Sequence, residues 1–389
     1  MFTITVDFIQ NIDEAKHLSF KLVNDLDKLI GRLVSIGRSY IKYGEDKNNR
    51  CVVVEYEDEL RVIAEEKFRA LQSENWLKLC VGVFAMTKFT SIDLTNVDTS
   101  EIEDMSYMFF RCSAHTINMQ GMDTSNAKIM NFMFAECQNI EYLDIGGFNT
   151  PKLESMISMF KEFRCKTVLR LSGIDTSHVT NMGGLFDSVN VPILDISNIN
   201  TSKVNSMFCM FSESQIGNLN SQLVYLDTHN VLDMTYMFKG VNCKVIDVGM
   251  FDTGKLADCS GMFFGCSAVI KGISNLKNNA IGYMTCMFAN FKNLNIKLID
   301  ISKFVGDALL DDTIFKDAVI DILDISNSDI KDLRKLRGIL GNSYVVKIVA
   351  NDVDMRGLLE EENVFNYILA TEFISNNKQL INLWNTRLV

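Results

Sequence analysis

One short phrase recurs along this chain from residue 90 onward, and it constrains the fold more than any other feature. Examples are DTSNAKIMNFMF, DTSHVTNMGGLF and DTHNVLDMTYMF, each of which ends on a phenylalanine. These anchor residues follow one another at intervals of 25 to 27 residues, at Phe109, Phe134, Phe160, Phe186, Phe211, Phe238, Phe263, Phe288, Phe315 and Leu340. A fixed period of this length is typical of a solenoid, because a single unit buries its apolar face only by stacking on its neighbours.

Within each unit the apolar residues hold fixed positions relative to the anchor. They lie seven, four and one residue before it, as Leu153, Met156 and Met159 do before Phe160. This spacing places the side chains on one face of a helix, and the sequence therefore predicts a short helix in every unit. The Asp-Thr-Ser that precedes many of these segments predicts an N-cap, since its side-chain oxygens can accept from free N–H groups of the first turn.

Ahead of each cap lies a three-residue apolar-polar-apolar alternation, as in residues 194–196. Alternation at a period of two predicts a short strand with one buried face. The predicted fold class is therefore an α/β repeat solenoid, leucine-rich-repeat-like, of about ten units. Each unit of 25–27 residues is expected to contain a short parallel strand and a short helix.

The repeats divide the chain into three predicted parts. Residues 1–89 do not repeat and predict a small N-terminal α+β domain, with a helix from about residue 58 to 73. Residues 90–343 form the solenoid. Residues 344–389 predict a last strand and a cap of two helices, because the end of a solenoid otherwise exposes apolar faces and strand edges.

The unit LDISNINTSKVNSMFCMF resembles the repeat of the BspA-like leucine-rich-repeat family, which includes a bacterial surface-protein repeat and a mycoplasma repeat of unknown function. The resemblance covers residues 91 to about 340. It implies a binding solenoid, in a family whose members are often secreted or anchored adhesins, and it implies no catalytic residues. Abundant Asn, Ile and Lys with only 2 Pro suggests an AT-rich genome, such as that of a low-GC bacterium or one of its phages.

The charge and the apolar pattern exclude several classes of function. The formal net charge is −11, which argues against binding nucleic-acid phosphates or anionic membrane surfaces. The N-terminus lacks the pattern of a signal peptide, and the longest apolar run, residues 79–86, is too short to span a membrane. We therefore expect a cytoplasmic protein, with the virion or the cell surface, reached by a non-classical route, as the alternative.

Motifs of catalysis and metal binding are missing from the sequence. The four His are isolated, and no Cys-x-x-Cys, His-x-x-x-His, Gly-rich phosphate loop or nucleophile elbow occurs. The sequence predicts no enzyme, no cofactor and no metal. Ten Cys without paired spacing favour free thiols, although Cys112 and Cys137 would lie on adjacent units, and a disulfide between them stays open.

A row of polar residues, mostly Asp, lies sixteen residues before the anchors, on the predicted solvent side of the strands. It consists of Asp93, Asn118, Asp144, Arg170, Asp195, Asp247 and Asp324. This row is the predicted partner-binding face; the alternatives are a solvated sheet surface without a partner and a row of calcium ligands.

The predicted function is a non-enzymatic interaction or scaffold solenoid. It would bind another protein, with a basic surface, through the sheet face, the N-terminal domain or both. The alternatives are a surface or virion adhesin and a phage-encoded inhibitor of a host factor, including one that acts by acidic mimicry. The sequence predicts neither the identity of the partner nor the oligomeric state.

Overall fold

The computed structural model describes residues 99–273 without a gap, together with 59–61, 85, 91–94, 282–292, 294–297, 313–328, 338–356, 358 and 363–388. Nearly all of the predicted N-terminal domain, residues 1–89, therefore lies outside the described residues. Residues 59–61, which we expected at the start of a helix, form a strand instead. The chain divides into two compact units: Met1–Lys203 with Ile216–Asn218, and Val204–Gln215 with Leu219–Val389.

The strands of the first unit are short and parallel. They are β1 (Glu59–Arg61), β2 (Ser91–Asp93), β3 (Thr116–Asn118), β4 (Leu143–Asp144), β5 (Val168–Arg170), β6 (Asn190–Val191) and β7 (Ile193–Asp195). One sheet has the order β1-β2-β3, and another has the order β4-β5-β7. Equivalent residues pair in register, so the buried side chains of Leu143, Leu169 and Leu194 lie side by side.

The second unit continues the same plan. After β8 (Gln215–Ile216), its elements are α1 (Leu219–Gln222), a 3₁₀ helix (Leu223–Tyr225), β9 (Val245–Asp247), β10 (Val269–Lys271), β11 (Leu294–Lys297), β12 (Val319–Asp324), β13 (Tyr344–Val349), β14 (Ala370–Ile374) and α2 (Lys378–Asn385). β9 pairs with β10, and β11 to β14 form a parallel sheet in chain order. Both units are therefore stretches of parallel β-solenoid, as the repeats predict, but their described residues contain few helices.

The expected helix in every unit is wrong. The segment before each anchor is a run of tight turns, in which the Met108 N–H donates to the Met105 carbonyl (3.3 Å) and the Phe110 N–H donates to the Tyr107 carbonyl (3.0 Å). Tyr107 and Arg111 have φ angles of 57° and 55°, which no residue of a right-handed helix adopts. Equivalent positive angles recur two residues before and two residues after most anchors.

Hydrogen bonds between repeats explain why this segment forms turns and not a helix. The N–H groups of Met105, Tyr107 and Phe109 donate to carbonyls of the next repeat, at 2.8, 2.9 and 2.8 Å. A helix would direct the same donors to carbonyls of its own segment. Wherever the structure describes them, the positions expected to be buried are nevertheless buried, because a spacing of three and four residues suits a run of turns as well as a helix.

The Asp-Thr-Ser phrase also joins one repeat to the next. Buried Thr124 donates its hydroxyl to the Asn149 carbonyl (2.9 Å), and Thr150 does the same to the Asp175 carbonyl (3.0 Å). The Asp side chain accepts from the N–H two residues later, as Asp123 does from Ser125 (2.9 Å). The phrase therefore stabilises a turn and a contact between repeats, whereas we expected it to cap a helix.

The anchor side chains stack through the core of each unit. Ring centroids are 5.1 Å apart for Phe109 and Phe134, and 5.6 Å apart for Phe134 and Phe160, with nearly parallel rings. In the second unit the stack runs through Phe211, Phe238, Phe263, Phe288 and Phe315. All of these rings are buried, and they supply the largest apolar side chains of the core.

The expected cap of two helices at the C-terminus is also wrong. A further buried anchor, Phe365, lies 25 residues after Leu340, and it is followed by β14 and then by α2, the one helix among the described residues of this region. Trp384 of α2 stacks on Phe373, with centroids 5.0 Å apart. The Leu388 carbonyl accepts from the Tyr367 N–H at 2.6 Å, and the Ala135 carbonyl of the following repeat does the same for the equivalent Arg111 N–H at 2.9 Å.

Truncation of a stacked anchor should destabilise the fold strongly. We expect Phe134→Ala to lower the free energy of unfolding by about 3–5 kcal/mol, because it opens a cavity between two stacked rings. Urea unfolding followed by circular dichroism measures this loss. Phe208→Ala is the control, since Phe208 is 45% exposed and should cost less than about 1 kcal/mol. Equal losses for the two variants would contradict the stacked core.

A glycine at a left-handed position distinguishes turns from helices. Tyr107 is exposed, has a φ of 57° and lies two residues before an anchor, inside the segment that was expected to be helical. We expect Tyr107→Gly to be more stable than Tyr107→Ala by roughly 1 kcal/mol, because only glycine adopts this φ without steric cost. A helix at this position predicts the opposite order by a similar amount. Thermal unfolding of the two variants therefore decides between the structures.

Candidate partner-binding surface

The predicted row of polar residues lies at equivalent ends of the strands. Asp93 and Asn118 are neighbours across β2 and β3, and the backbones of Asp144, Arg170 and Asp195 are neighbours across β4, β5 and β7. In the second unit Asp247 ends β9 and Asp324 ends β12. The side chain of Asp93 lies outside the described residues. The predicted residues thus share one strand position within each unit.

Basic residues occupy the same position in other strands, and sequence reasoning missed them. Arg61 pairs with Asp93, Lys271 with Asp247, and Lys297 with Asp324. The spacing rule does not indicate Lys271 and Lys297, because they precede their anchors by one and two residues more than the sixteen of the regular units. It does not indicate Arg61 because the segment around Arg61 was expected to be helical. The row therefore contains both acidic and basic residues.

Arg170 joins two carboxylates of the row. Its Nη1 lies 2.9 Å from Asp144 Oδ2, and its Nε lies 3.3 Å from Asp195 Oδ2. The hydrogen bond and the charge of Asp144, followed by those of Asp195, raise the pKa of the Arg170 guanidinium. The three side chains are partly exposed, so this pairing orients them and adds little to stability.

The acidic side chains of the row that the structure describes also shape the turns that follow their strands. Oδ1 of Asp144 accepts from the Gly146 N–H at 2.9 Å, and Oδ1 of Asp247 accepts from the Gly249 N–H at 2.9 Å. Asp195 accepts from Ser197, Ser172 and Arg170. Burial alone would raise the pKa of Asp195, but these hydrogen bonds outweigh it, and the pKa lies below its ordinary value. Turn geometry is thus one reason for Asp at this position.

Exposed apolar side chains accompany the charged row in the first unit. Tyr142, just before β4, is 61% exposed, and Ile193 of β7 is 48% exposed. Val168 of β5 pairs with Ile193 and is half-buried. Exposed aromatic and aliphatic side chains beside an oriented arginine are common in the hot spots of protein–protein interfaces.

A cleft of about 540 Å³ opens in this surface between β3 and β4. The two strands belong to separate sheets, so the strand ladder divides at this point. Residues Thr116–Met122 line one side of the cleft, and Tyr142, Asp144, Gly147 and Phe148 line the other.

A family model described as "Mycoplasma protein of unknown function, DUF285" matches the repeats that carry this surface, at residues 79–190, 162–243 and 240–352.

The chain belongs to this family. The matched segments together cover more than half of its length. Membership in DUF285 confirms the likeness to the mycoplasma repeat of unknown function, whereas the wider likeness to BspA-like leucine-rich repeats stays a prediction. No curated protein and no solved structure matches the chain.

The DUF285 repeat at residues 219–226 departs from the strand plan and forms α1 and the 3₁₀ helix. In the first unit, the side-chain amide of Asn218 takes the place of a strand, since it accepts from the Leu194 N–H at 2.9 Å and donates to the Leu194 carbonyl at 2.8 Å. In the second unit, Asn220 accepts from the Asp247 N–H at 2.8 Å. Two asparagines thus satisfy backbone groups where the ladder stops.

The cysteines of the described DUF285 repeats are free thiols. Cys112 and Cys137 are both buried, and Cys137 Sγ donates to the Phe109 carbonyl at 3.0 Å. Burial raises the pKa of the Cys137 thiol well above its ordinary value, and the nearby Cys112 raises it further. Burial also raises the pKa of the Cys266 thiol to about 12. These thiols pack in the core.

The described ranges contain no group of three or more His, Cys, Asp or Glu that could hold a metal ion. Among the same residues, no helix has the length and the apolar content that crossing a membrane requires.

Buried thiols should resist alkylation in the folded protein. A raised pKa keeps a thiol protonated until the pH passes it, so we expect Cys137 and Cys266 to react slowly with iodoacetamide up to about pH 10. Half-buried Cys286 should react faster than either of them. Mass spectrometry of alkylated peptides over time measures the order, with circular dichroism to show that the protein stays folded. Equal rates for Cys266 and Cys286 would contradict the buried placement.

Proposed function

We propose that this chain is a non-enzymatic solenoid that binds a protein partner through the strand face of its first unit. We call this surface, formed by Tyr142, Val168 and Ile193 with Asp144, Arg170 and Asp195, the β4–β7 face. We also propose that the repeat is related to BspA-like leucine-rich repeats, on the support of its 25- to 27-residue period and its parallel strands.

The observation that carries this proposal is the pairing of exposed apolar side chains with an oriented arginine on one rigid sheet. The side chains of Tyr142 and Ile193 are exposed, whereas those of Leu143 and Leu194, the next residues in the sequence, are buried. Parallel strands about 4.8 Å apart hold these groups at fixed distances. A partner that covers them loses little conformational entropy on the solenoid side, because the groups are already positioned.

The charges of this face refine the expected partner. Asp144 and Asp195 share one arginine, so the charged group has a net charge of −1. A partner that binds here should present apolar side chains together with a small excess of basic ones. This is a narrower requirement than a generally basic surface.

The test is affinity capture with the full chain as bait. A double variant, Tyr142→Ser with Ile193→Ser, should lose a partner that the wild-type chain captures from a lysate of its native host cells. The expected loss is at least about tenfold in affinity, since truncation of central apolar residues commonly costs about 2 kcal/mol. Isothermal titration with the recovered partner measures this change.

A matched control comes from the second unit. Tyr283 and Leu232 are 66% and 47% exposed, closely matching Tyr142 and Ile193, and they lie outside the β4–β7 face. The double variant Tyr283→Ser with Leu232→Ser should bind the partner as the wild type does, and both variants should melt within a few degrees of it. If the control variant loses the partner and the β4–β7 variant keeps it, the proposal is wrong.

A further inference from the structure

We propose that the cleft between β3 and β4 receives a lysine or arginine side chain of the protein partner. The inference rests on the proposed function, because the cleft adjoins the β4–β7 face at Tyr142 and Asp144. It adds a specific recognition pocket beside the β4–β7 face.

The cleft exists because the strand ladder divides. Adjacent repeats remain joined beside it, since the Glu141 N–H donates to the His115 carbonyl at 2.9 Å. Ile117 of β3 is only half-buried, whereas the equivalent Leu143 and Leu169 of β4 and β5 are 1% and 0% exposed. The sheet therefore opens at Ile117, and the opening leaves a cavity of about 540 Å³.

The walls of the cleft suit the aliphatic part of a long side chain. Met119, Met122 and Phe148 are among its lining residues and are themselves almost fully buried, at 9%, 8% and 5% exposure. Tyr142 lies in the same lining and exposes 61% of its side chain. Methionine adapts to the shape of a guest, and an exposed aromatic face attracts a cation.

The polar groups of the cleft select the charge of the guest. Its lining contains one carboxylate, Asp144, the side-chain amides of Asn118 and Gln120, and no basic side chain. A carboxylate offers about four acceptor positions. Asp144 accepts one hydrogen bond from Gly146 and one from Arg170, which leaves acceptor capacity for a cationic donor. Arg170, which pairs with Asp144, is not among the lining residues, so an acidic guest would find no cationic side chain in the lining itself.

Methionine itself provides the probe for this inference. The full chain is labelled with ¹³C at the methionine methyl groups, and the Met119 and Met122 signals are assigned by Met119→Leu and Met122→Leu. The probes are the N-acetyl methylamides of arginine and lysine, with those of norleucine and glutamate for comparison. We expect the arginine or lysine probe to shift the Met119 and Met122 signals, and the norleucine and glutamate probes to shift them much less.

Two isosteric variants distinguish the loss of a carboxylate inside the cleft from the loss of one negative charge elsewhere on the chain. Asp144→Asn should weaken binding of the cationic probe about fivefold, the size typical of a partly exposed ion pair. Asp247→Asn is the matched control, because Asp247 holds the equivalent strand position, accepts from Gly249 at the same 2.9 Å and lies outside the cleft. It should leave the affinity for the probe unchanged.

The inference and the proposed function fail in different ways. Equal shifts with the norleucine probe, no shift with any probe, or an unchanged affinity in Asp144→Asn would each overturn the cleft as a site for a basic side chain. None of these results bears on Ile193, which does not line the cleft, so loss of the partner in the double variant of Tyr142 and Ile193 would still support the β4–β7 face.

Discussion

The backbone of each repeat finds its hydrogen-bond partners in the repeat that follows it. In the run of turns before the anchor, alternate N–H groups close the turns, and those between them donate to the next repeat, as Tyr107 does to Asn131. Buried threonines also donate to the repeat that follows, as the Thr124 hydroxyl does to the Asn149 carbonyl. An isolated repeat would leave these groups without partners, so the fold depends on stacking more than on any local propensity.

Stacking in register also determines the surface. Residues 25 or 26 apart in the sequence become neighbours, so opposite charges in successive repeats form ion pairs such as Glu103 with Lys128 (2.9 Å) and Arg111 with Glu136 (2.6 Å). Exposed pairs of this kind contribute little stability. These ion pairs neutralise charge locally. A chain with a net charge of −11 can therefore have a surface without a continuous row of acidic residues.

The sequence was sufficient to predict which residues are buried but not the backbone that buries them. The Met and Phe positions follow from the period alone, whereas a spacing of three and four residues is shared by helices and by successive turns. Gly184 and Gly261 before the anchors, and Gly240 and Gly265 after them, were the available signal, since all four have positive φ. The cleft could not be predicted, because the repeats on both sides of it match the common pattern, and only their separation creates the cavity.

A regular solenoid offers the same surface at every repeat, so a specific site requires a departure from regularity. In the first unit the ladder stops beyond β7, where the amide of Asn218 satisfies Leu194 in both directions and leaves no open edge for another strand. The division between β3 and β4 is different, since it leaves a cavity with a carboxylate and an exposed aromatic ring in its lining. Of these two interruptions, the one that keeps a cavity is the one that can distinguish one partner from another, because a guest side chain must match it in length and charge.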